Sequence, residues 1–166
     1  MALEYDRAGL LATIHQQFRV DWHGIHGIRH WSRVLHHTRT VGALRGADLL
    51  LVELFSFLHD SCRHDELRDP QHGARGADFA RSLNTRFFDL SAARLDRLCQ
   101  AIRWHSDGQM SADATIQTCW DADRLDLGRV GIYPDTRLVS REAATRIEAA
   151  YGWSRGRSLR PLSPSR

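Results

Sequence analysis

The chain has 166 residues, of which 42% are hydrophobic and 26% are charged, values that are typical of one soluble globular domain. No apolar run approaches the ~20 residues that a membrane-spanning helix needs, and the first ten residues lack the apolar core of a secretory signal, so we expect neither. The net charge is only +3, and all 23 basic residues are arginine. We attribute the missing lysine to coding bias rather than to a nucleic-acid-binding surface.

Three cysteines are spread widely along the chain, at Cys62, Cys99 and Cys119. An odd number of cysteines without close pairs argues against a disulfide framework and against a zinc ribbon. The pattern therefore predicts a protein of the reducing cytoplasm.

Apolar residues recur at helical spacing almost throughout, and no stretch alternates with the period of two that strands show. The first predicted helix has its apolar face between Leu10 and Phe18. The second begins near His26 and ends at the glycines at positions 42 and 46. Asp48 is the predicted N-cap of a third helix through Leu58, which is apolar nearly all round and should be the buried central one.

The second half of the chain continues the helical pattern. A polar segment, 61–76, predicts a loop that enters a fourth helix at 74–83. Further helices are predicted after Ser91, from a cap at Ser111 or Asp113 to Leu127, and over 137–151. We therefore predict an all-α fold of about six or seven helices in one domain, 1–151, followed by a disordered tail rich in arginine, serine and proline, 152–166.

The apolar third helix ends in two ionisable residues, His59 and Asp60. Burying such groups is costly unless they are paired or bind a metal. A histidine at a helix C-terminus complements the helix dipole, but an aspartate there does not, which favours a pair of metal ligands. A second His-Asp pair, His64 and Asp65, lies in the polar loop and is expected to be exposed.

Three other histidines are associated with predicted helices: His30 lies on the second helix, His72 stands just before the fourth, and His105 ends the fifth. Each has a structural explanation by itself, His30 as a surface or core-edge histidine, His72 as a turn residue and His105 as a partner of the helix dipole. Together with the carboxylates of the sixth helix, Asp121, Asp123 and Asp126, they indicate a shared site.

The order of His30, then His59 and Asp60, then Asp123 resembles the H…HD…D signature of the HD-domain superfamily of metal-dependent phosphohydrolases. The local segments HGIRHWSRVL, FSFLHDSCR and CWDADRLDLG resemble the surroundings of the family's motifs. The resemblance covers 24–131. It implies an HD-like helical bundle in which these four residues converge as metal ligands from separate helices.

The last ligand has alternatives, because the sixth helix carries Asp121, Asp123 and Asp126. In the family, the final aspartate tends to precede a basic or polar residue and then leucine. The sequence DRL after position 122 matches that pattern, so Asp123 is preferred, and Asp121 remains open.

Some members of the superfamily hold two metal ions and have two extra histidines between the HD pair and the final aspartate. His72 and His105 occupy that interval, and with both bound, Asp60 would bridge the two ions. Imidazole and carboxylate ligands suit divalent ions of this kind. The expected cofactor is one or two ions of manganese, iron, nickel, cobalt, zinc or magnesium.

Three arginines, Arg33, Arg63 and Arg124, are close in sequence to the proposed ligands. Guanidinium groups can hold phosphate oxygens through paired hydrogen bonds, so we place them with Asp60 in the catalytic machinery. The alternative is that they are solvated surface charges.

The resemblance implies a hydrolase in which a metal-activated water attacks a small phosphorylated substrate, with nucleotides among the candidates. An HD-type di-iron oxygenase would use the same ligands. A third alternative is a non-catalytic helical protein whose arginines contact nucleic acid, which predicts salt-sensitive binding. We expect a small phosphorylated partner and neither a membrane nor a nucleic-acid polymer, and the sequence predicts no oligomeric state.

Overall fold

The computed structural model describes residues 5–158, with side chains through Arg155. Over these residues the chain forms eight α-helices and no strand, which confirms the all-α prediction. The helices are α1 (Arg7–Gln17), α2 (Ile28–Arg45), α3 (Leu49–Leu58), α4 (His72–Leu83), α5 (Ala92–Trp104), α6 (Ala114–Leu125), α7 (Arg141–Ala144) and α8 (Ile147–Ser158), with short 3₁₀ helices at Leu127–Val130 and Thr136–Leu138.

Helix α3 is the central element, as its all-round apolar sequence predicts. The side chain of Asp48 caps it by accepting a hydrogen bond from the backbone N–H of Leu51. Every residue from Leu51 to Leu58 is buried, because α2, α5 and α6 pack around the helix. The end of α3, where His59 follows, therefore lies inside the protein.

Helices α4 and α5 pack closely because α4 presents two glycines to α5. A Cβ atom on Gly73 would lie 2.5 Å from the carbonyl oxygen of Arg103, and one on Gly76 would lie 3.0 Å from Cγ2 of Ile102. This close approach brings the start of α4 against the end of α5. As a result, His72 and His105 face each other.

Replacing Gly73 by alanine should separate α4 from α5, because the added Cβ would meet the backbone. We expect Gly73→Ala to lower the free energy of unfolding by ~1–3 kcal/mol, as overpacking typically does. Urea unfolding followed by circular dichroism measures the change.

Gly152→Ala is the matched control, because Gly152 lies in α8 with nothing within 4 Å of an added Cβ. It should keep or raise stability, by up to ~1 kcal/mol, since alanine favours helix more than glycine does. Equal unfolding free energies for the wild type and Gly73→Ala would show that this packing is not tight.

The observed ends of α2 and the start of α4 differ from the predicted ones, and each lies next to a glycine. Helix α4 begins at His72 rather than at position 74, so the end of the predicted loop is helical. Helix α2 begins at Ile28 rather than near His26 and continues through Gly42 to Arg45. It ends at Gly46, whose left-handed φ of 64° suits glycine.

The predicted helix over 137–151 is divided in the structure, because Ser140 caps the short α7 and a new helix, α8, begins after it. A small second apolar cluster, which includes Val41, Leu125 and Ile147, packs this region on the bundle. The domain boundary predicted at 151 falls inside α8, and 159–166 lie outside the described residues. None of the described helices has the length and apolar character required to cross a bilayer.

Candidate metal centre

Four buried histidines converge at the ends of four helices. His30 lies in the first turn of α2, His59 directly follows α3, His72 begins α4, and His105 directly follows α5. Their rings form two pairs. The Nε2 atoms of His30 and His59 are 3.0 Å apart, and those of His72 and His105 are 2.9 Å apart.

Asp60 lies between the two histidine pairs and presents one carboxylate oxygen to each. Its Oδ2 atom is 3.5 Å from Nε2 of both His30 and His59. Its Oδ1 atom is 3.3 Å from Nε2 of His72 and 3.6 Å from Nε2 of His105. Among the described residues, two groups could therefore each hold a metal ion, and Asp60 belongs to both.

Asp123 lies at the first of these groups and Asp121 does not. The Oδ1 atom of Asp123 is 3.3 Å from Nε2 of His30 and 3.8 Å from Nε2 of His59. The carboxylate of Asp121 instead accepts hydrogen bonds from the backbone N–H of Ser140, at 3.0 Å, and from the amide of Gln117, at 2.7 Å. Asp121 therefore links α6 to the segment before α7.

The other ring nitrogen, Nδ1, of each histidine faces an oxygen. The partners are Oδ2 of Asp126 for His30 and the backbone carbonyls of Phe55, Asp69 and Ile102 for His59, His72 and His105. Because these oxygens accept hydrogen bonds, the proton of a neutral ring belongs on Nδ1. The Nε2 lone pairs of each pair then face each other at about 3 Å, a repulsion that a shared cation removes, so the donor set fits a metal ion at each pair.

The negative charges of the carboxylates at the centre are stabilised by nearby positive charge. Burial lowers the pKa of His59 to about 3, so this imidazole is neutral and able to bind a metal. Burial also acts to lower the pKa of His30, but hydrogen bonds to the neighbouring carboxylates, that of Asp123 first, raise it to about 9. Burial acts to raise the pKa values of Asp60 and Asp123, but the adjacent histidines hold both well below the usual range.

A pocket of about 320 Å³ opens beside this centre. Three arginines line it, and each is anchored through part of its guanidinium group. Arg63 donates to Oδ1 of Asp60 at 2.9 Å, Arg124 donates to backbone carbonyls, and Arg129 donates to the carbonyl of Ile25 at 2.8 Å. The other lining residues are His26, Asp60, His105, Ser106, Gly108, Asp123, Leu127, Val130 and Leu138.

Arg33, which was predicted to bind phosphate, does not line this pocket. Its guanidinium donates to both oxygens of Asp126, at 2.6 and 3.1 Å, and Asp126 in turn accepts from Nδ1 of His30. Arg33 therefore orients a ligand through Asp126, and the third arginine at the pocket is Arg129.

Three residues of the site were not assigned from the sequence. Asp126 follows Asp123 by three positions, a spacing that places both on one helix face and could have identified it. His26 lines the pocket, and its Nδ1 lies 2.6 Å from Oε2 of Glu66. No local pattern indicates His26 or Arg129, because their places depend on packing between distant segments.

The second His-Asp pair, His64 and Asp65, is exposed in the loop before α4. The side chain of Asp65 accepts hydrogen bonds from the backbone N–H groups of Leu67 and Arg68. It shapes the loop and takes no part in the centre.

No protein-family model matches the sequence, and no curated protein matches it. A solved crystal structure, described as a "predicted HD superfamily hydrolase" from an uncultured Thermotogales bacterium, is similar, with 26% sequence identity and a TM-score of 0.69. The match covers 90% of this chain and 87% of that chain. The likeness and the two groups of residues that could hold a metal confirm the resemblance to the HD superfamily, and they support a hydrolase at the level of that superfamily.

Proposed function

We propose that this chain, which has the HD-superfamily fold, is a metal-dependent phosphohydrolase that acts on a small phosphorylated substrate, with nucleotides among the candidates. One observation carries the proposal. The carboxylate of Asp60 lies between two histidine pairs, at the wall of a pocket that three arginines line.

The ligand groups divide into two sets that share Asp60. His30, His59, Asp60 and Asp123 would hold one ion, while His72 and His105 would hold a second with the other oxygen of Asp60. A set with this much imidazole suits manganese, iron, cobalt, nickel or zinc better than magnesium, which prefers oxygen ligands. Bound metal would supply a Lewis acid and a water of lowered pKa.

The pocket supplies the groups that would hold the substrate. Arg63, Arg124 and Arg129 place guanidinium charges around the pocket, where they can donate hydrogen bonds to phosphate oxygens. Because backbone carbonyls and Asp60 already fix these side chains, little rotational freedom would be lost when a phosphate binds.

The rest of the lining suits the organic part of a small ester. Leu127, Val130 and Leu138 contribute apolar surface, and His26 contributes an imidazole. Glu66 engages Nδ1 of His26, which leaves Nε2 as the ring nitrogen that can exchange a proton or a hydrogen bond with a bound molecule.

The di-iron oxygenase alternative uses the same histidines and aspartates, so the ligand set does not separate the two reactions. The arginines at the pocket favour the hydrolase, since they match a phosphate dianion. Oxygen uptake by iron-loaded protein, without release of phosphate from any ester tested, would favour the oxygenase instead.

The direct test is phosphate release from a panel of phosphate monoesters, phosphodiesters and nucleotides by protein loaded in turn with manganese, iron, cobalt, nickel, zinc or magnesium. We expect hydrolysis of at least one class, which disappears when a chelator removes the metal and returns when metal is restored. Absence of phosphate release with every metal and every substrate class would contradict the proposal.

Within this assay, Arg129→Gln should lower kcat/KM for the best phosphate ester by about 10–100-fold, the loss expected for a hydrogen bond to a charged group. Metal content should be unchanged, because Arg129 contacts none of the proposed ligands. Its guanidinium donates to the carbonyls of Ile25 and Asp126 and lies 3.9 Å from Oδ2 of Asp126. The matched control is Arg137→Gln, since Arg137 is exposed and pairs only with Asp135 among the described residues. Equal kcat/KM for the two variants would remove Arg129 from the substrate site.

A further inference from the structure

Several large apolar side chains are exposed beside the pocket at the metal centre. Val130 lines this pocket and is 41% exposed. Ile132, which is 53% exposed, donates its backbone N–H to the carbonyl of Leu127, another lining residue. Ile25 is 37% exposed, and its carbonyl accepts a hydrogen bond from Nε of Arg129 in the pocket wall. Exposed aliphatic surface is therefore continuous with the lining of the pocket.

The loop before α4 adds another exposed aliphatic side chain to this face. Leu67 is 91% exposed and directly follows Glu66, whose Oε2 lies 2.6 Å from Nδ1 of His26 in the pocket wall. A single exposed leucine is ordinary, but aliphatic side chains that gather beside a pocket are typical of a surface that binds a ligand. We refer to Ile25, Leu67, Val130 and Ile132 as the apolar rim.

The polar side chains of the pocket are mostly charged, and they suit phosphate and metal rather than a nucleobase. Apart from the histidines, aspartates and arginines, Ser106 is the polar side chain of the lining, and no asparagine or glutamine lies among the described lining residues. A nucleobase edge presents several donors and acceptors, which one hydroxyl does not match. The side chains of the pocket therefore offer little that would select a base.

The size of the pocket places the organic part of a substrate against the rim. Its volume of about 320 Å³ is near the lower end of the ~300–1,000 Å³ range of ligand cavities. Metal and phosphate would take part of this space, since the ligand groups and the arginines are in its wall. The alcohol part of an ester would extend past Leu127 and Val130, where it meets aliphatic side chains.

We propose that the substrate is a phosphate monoester of an apolar alcohol rather than a nucleotide. This inference rests on the hydrolysis proposed above. The arginines of the pocket would hold the phosphate, and the carbon chain would lie along Leu127, Val130 and the apolar rim. In the reaction, the oxygen of water bonds to phosphorus, the bond from phosphorus to the alcohol oxygen breaks, and one proton of the water ends on that oxygen. The products are inorganic phosphate and the free alcohol.

Alkylphosphonates test the preference without turnover, because their carbon–phosphorus bond is not an ester. Calorimetric titration of the full chain, incubated with manganese or zinc, compares methylphosphonate with hexylphosphonate. Hexylphosphonate should bind at least about thirtyfold more tightly, since each added methylene contributes about twofold when half-buried. Hexylamine, which has the same chain and the opposite charge, should not bind. In the phosphate-release assay, hexyl phosphate should have a kcat/KM at least about tenfold above that of adenosine monophosphate.

Two variants locate the chain. Val130→Ser should lower the ratio of hexylphosphonate to methylphosphonate affinity by at least about threefold, because serine removes apolar surface from the pocket wall. Leu44→Ser is the matched control, since Leu44 is also exposed, at 58%, and lies fourteen residues beyond His30 on α2, about 21 Å away along the helix axis. This control should keep the wild-type ratio.

Three results would overturn the inference. The first is equal affinity for methylphosphonate and hexylphosphonate, which leaves the proposed hydrolysis standing if phosphate esters are cleaved. The second is an equal fall of the affinity ratio in Val130→Ser and Leu44→Ser, which would place the chain elsewhere. The third is self-association of the chain that Val130→Ser abolishes, which would assign the apolar rim to a second copy. Tighter binding of hexylphosphonate by protein that cleaves no ester would support the apolar ligand and contradict the hydrolysis.

Discussion

Asp60→Asn should lose both metal ions and reduce phosphate release by at least about a thousandfold, the scale of several kcal/mol that metal catalysis supplies. The reason is geometric. Among the described residues, Asp60 is common to the two groups that could hold a metal, and each of its oxygens faces a different histidine pair. Asparagine keeps the shape but replaces one oxygen with an amide nitrogen that cannot bind a metal, and it removes the negative charge.

Metal content and phosphate release of purified Asp60→Asn are the measurements. His59→Ala should behave similarly at the first group, while His64→Ala is the control because His64 is exposed in the loop. A chelator should lower the melting temperature of the wild type, since bound metal stabilises the folded state, and should leave that of Asp60→Asn unchanged. Equal losses in His59→Ala and His64→Ala would show that the wrong His-Asp pair has been assigned.

The double variant His72→Ala/His105→Ala should lower the metal content from two ions per chain to one. These histidines contact only the Oδ1 side of Asp60, whereas His30, His59 and Asp123 remain to hold the other ion. Metal analysis of the folded variant, with circular dichroism as the check on folding, makes the measurement. An unchanged metal content would show that this pair binds no metal.

A matched control for this variant is available on the same helices. Arg103→Ala and Asp78→Ala break an exposed ion pair between α5 and α4, so they test whether disturbing this helix pair is itself enough to release metal. Both should retain two ions per chain. Loss of one ion in the control would mean that the packing of α4 on α5, rather than ligation by His72 and His105, explains the result.

The features that could be predicted from the sequence are those that local physics determines. Helix α3 could be predicted from a capping Asp48, ten largely apolar residues and the ionisable pair that follows, which occupy thirteen consecutive positions. The end of an apolar helix is also where buried polar groups are easiest to recognise, which is why the sequence drew attention to His59 and Asp60, whereas His105 entered the predicted site through the resemblance to the HD superfamily.

The features that sequence patterns misplaced depend on packing between distant segments. Glycines 73 and 76 look like loop residues, but they lie in α4, which begins at His72, and they permit its close approach to α5. Arg33 is close to His30 in sequence, but its guanidinium donates a hydrogen bond to Asp126, 93 residues further on, and does not line the pocket. Arg129 reaches the pocket because its side chain is held by the carbonyl of Ile25, 104 residues away.

A metal count tests most directly whether Asp60 joins two metal-binding groups in one site. The untagged protein would be purified without chelators and analysed for its elements, before and after reconstitution with manganese, iron or zinc. We expect two ions per chain, one for each group. No bound metal, with none regained on reconstitution, would contradict it.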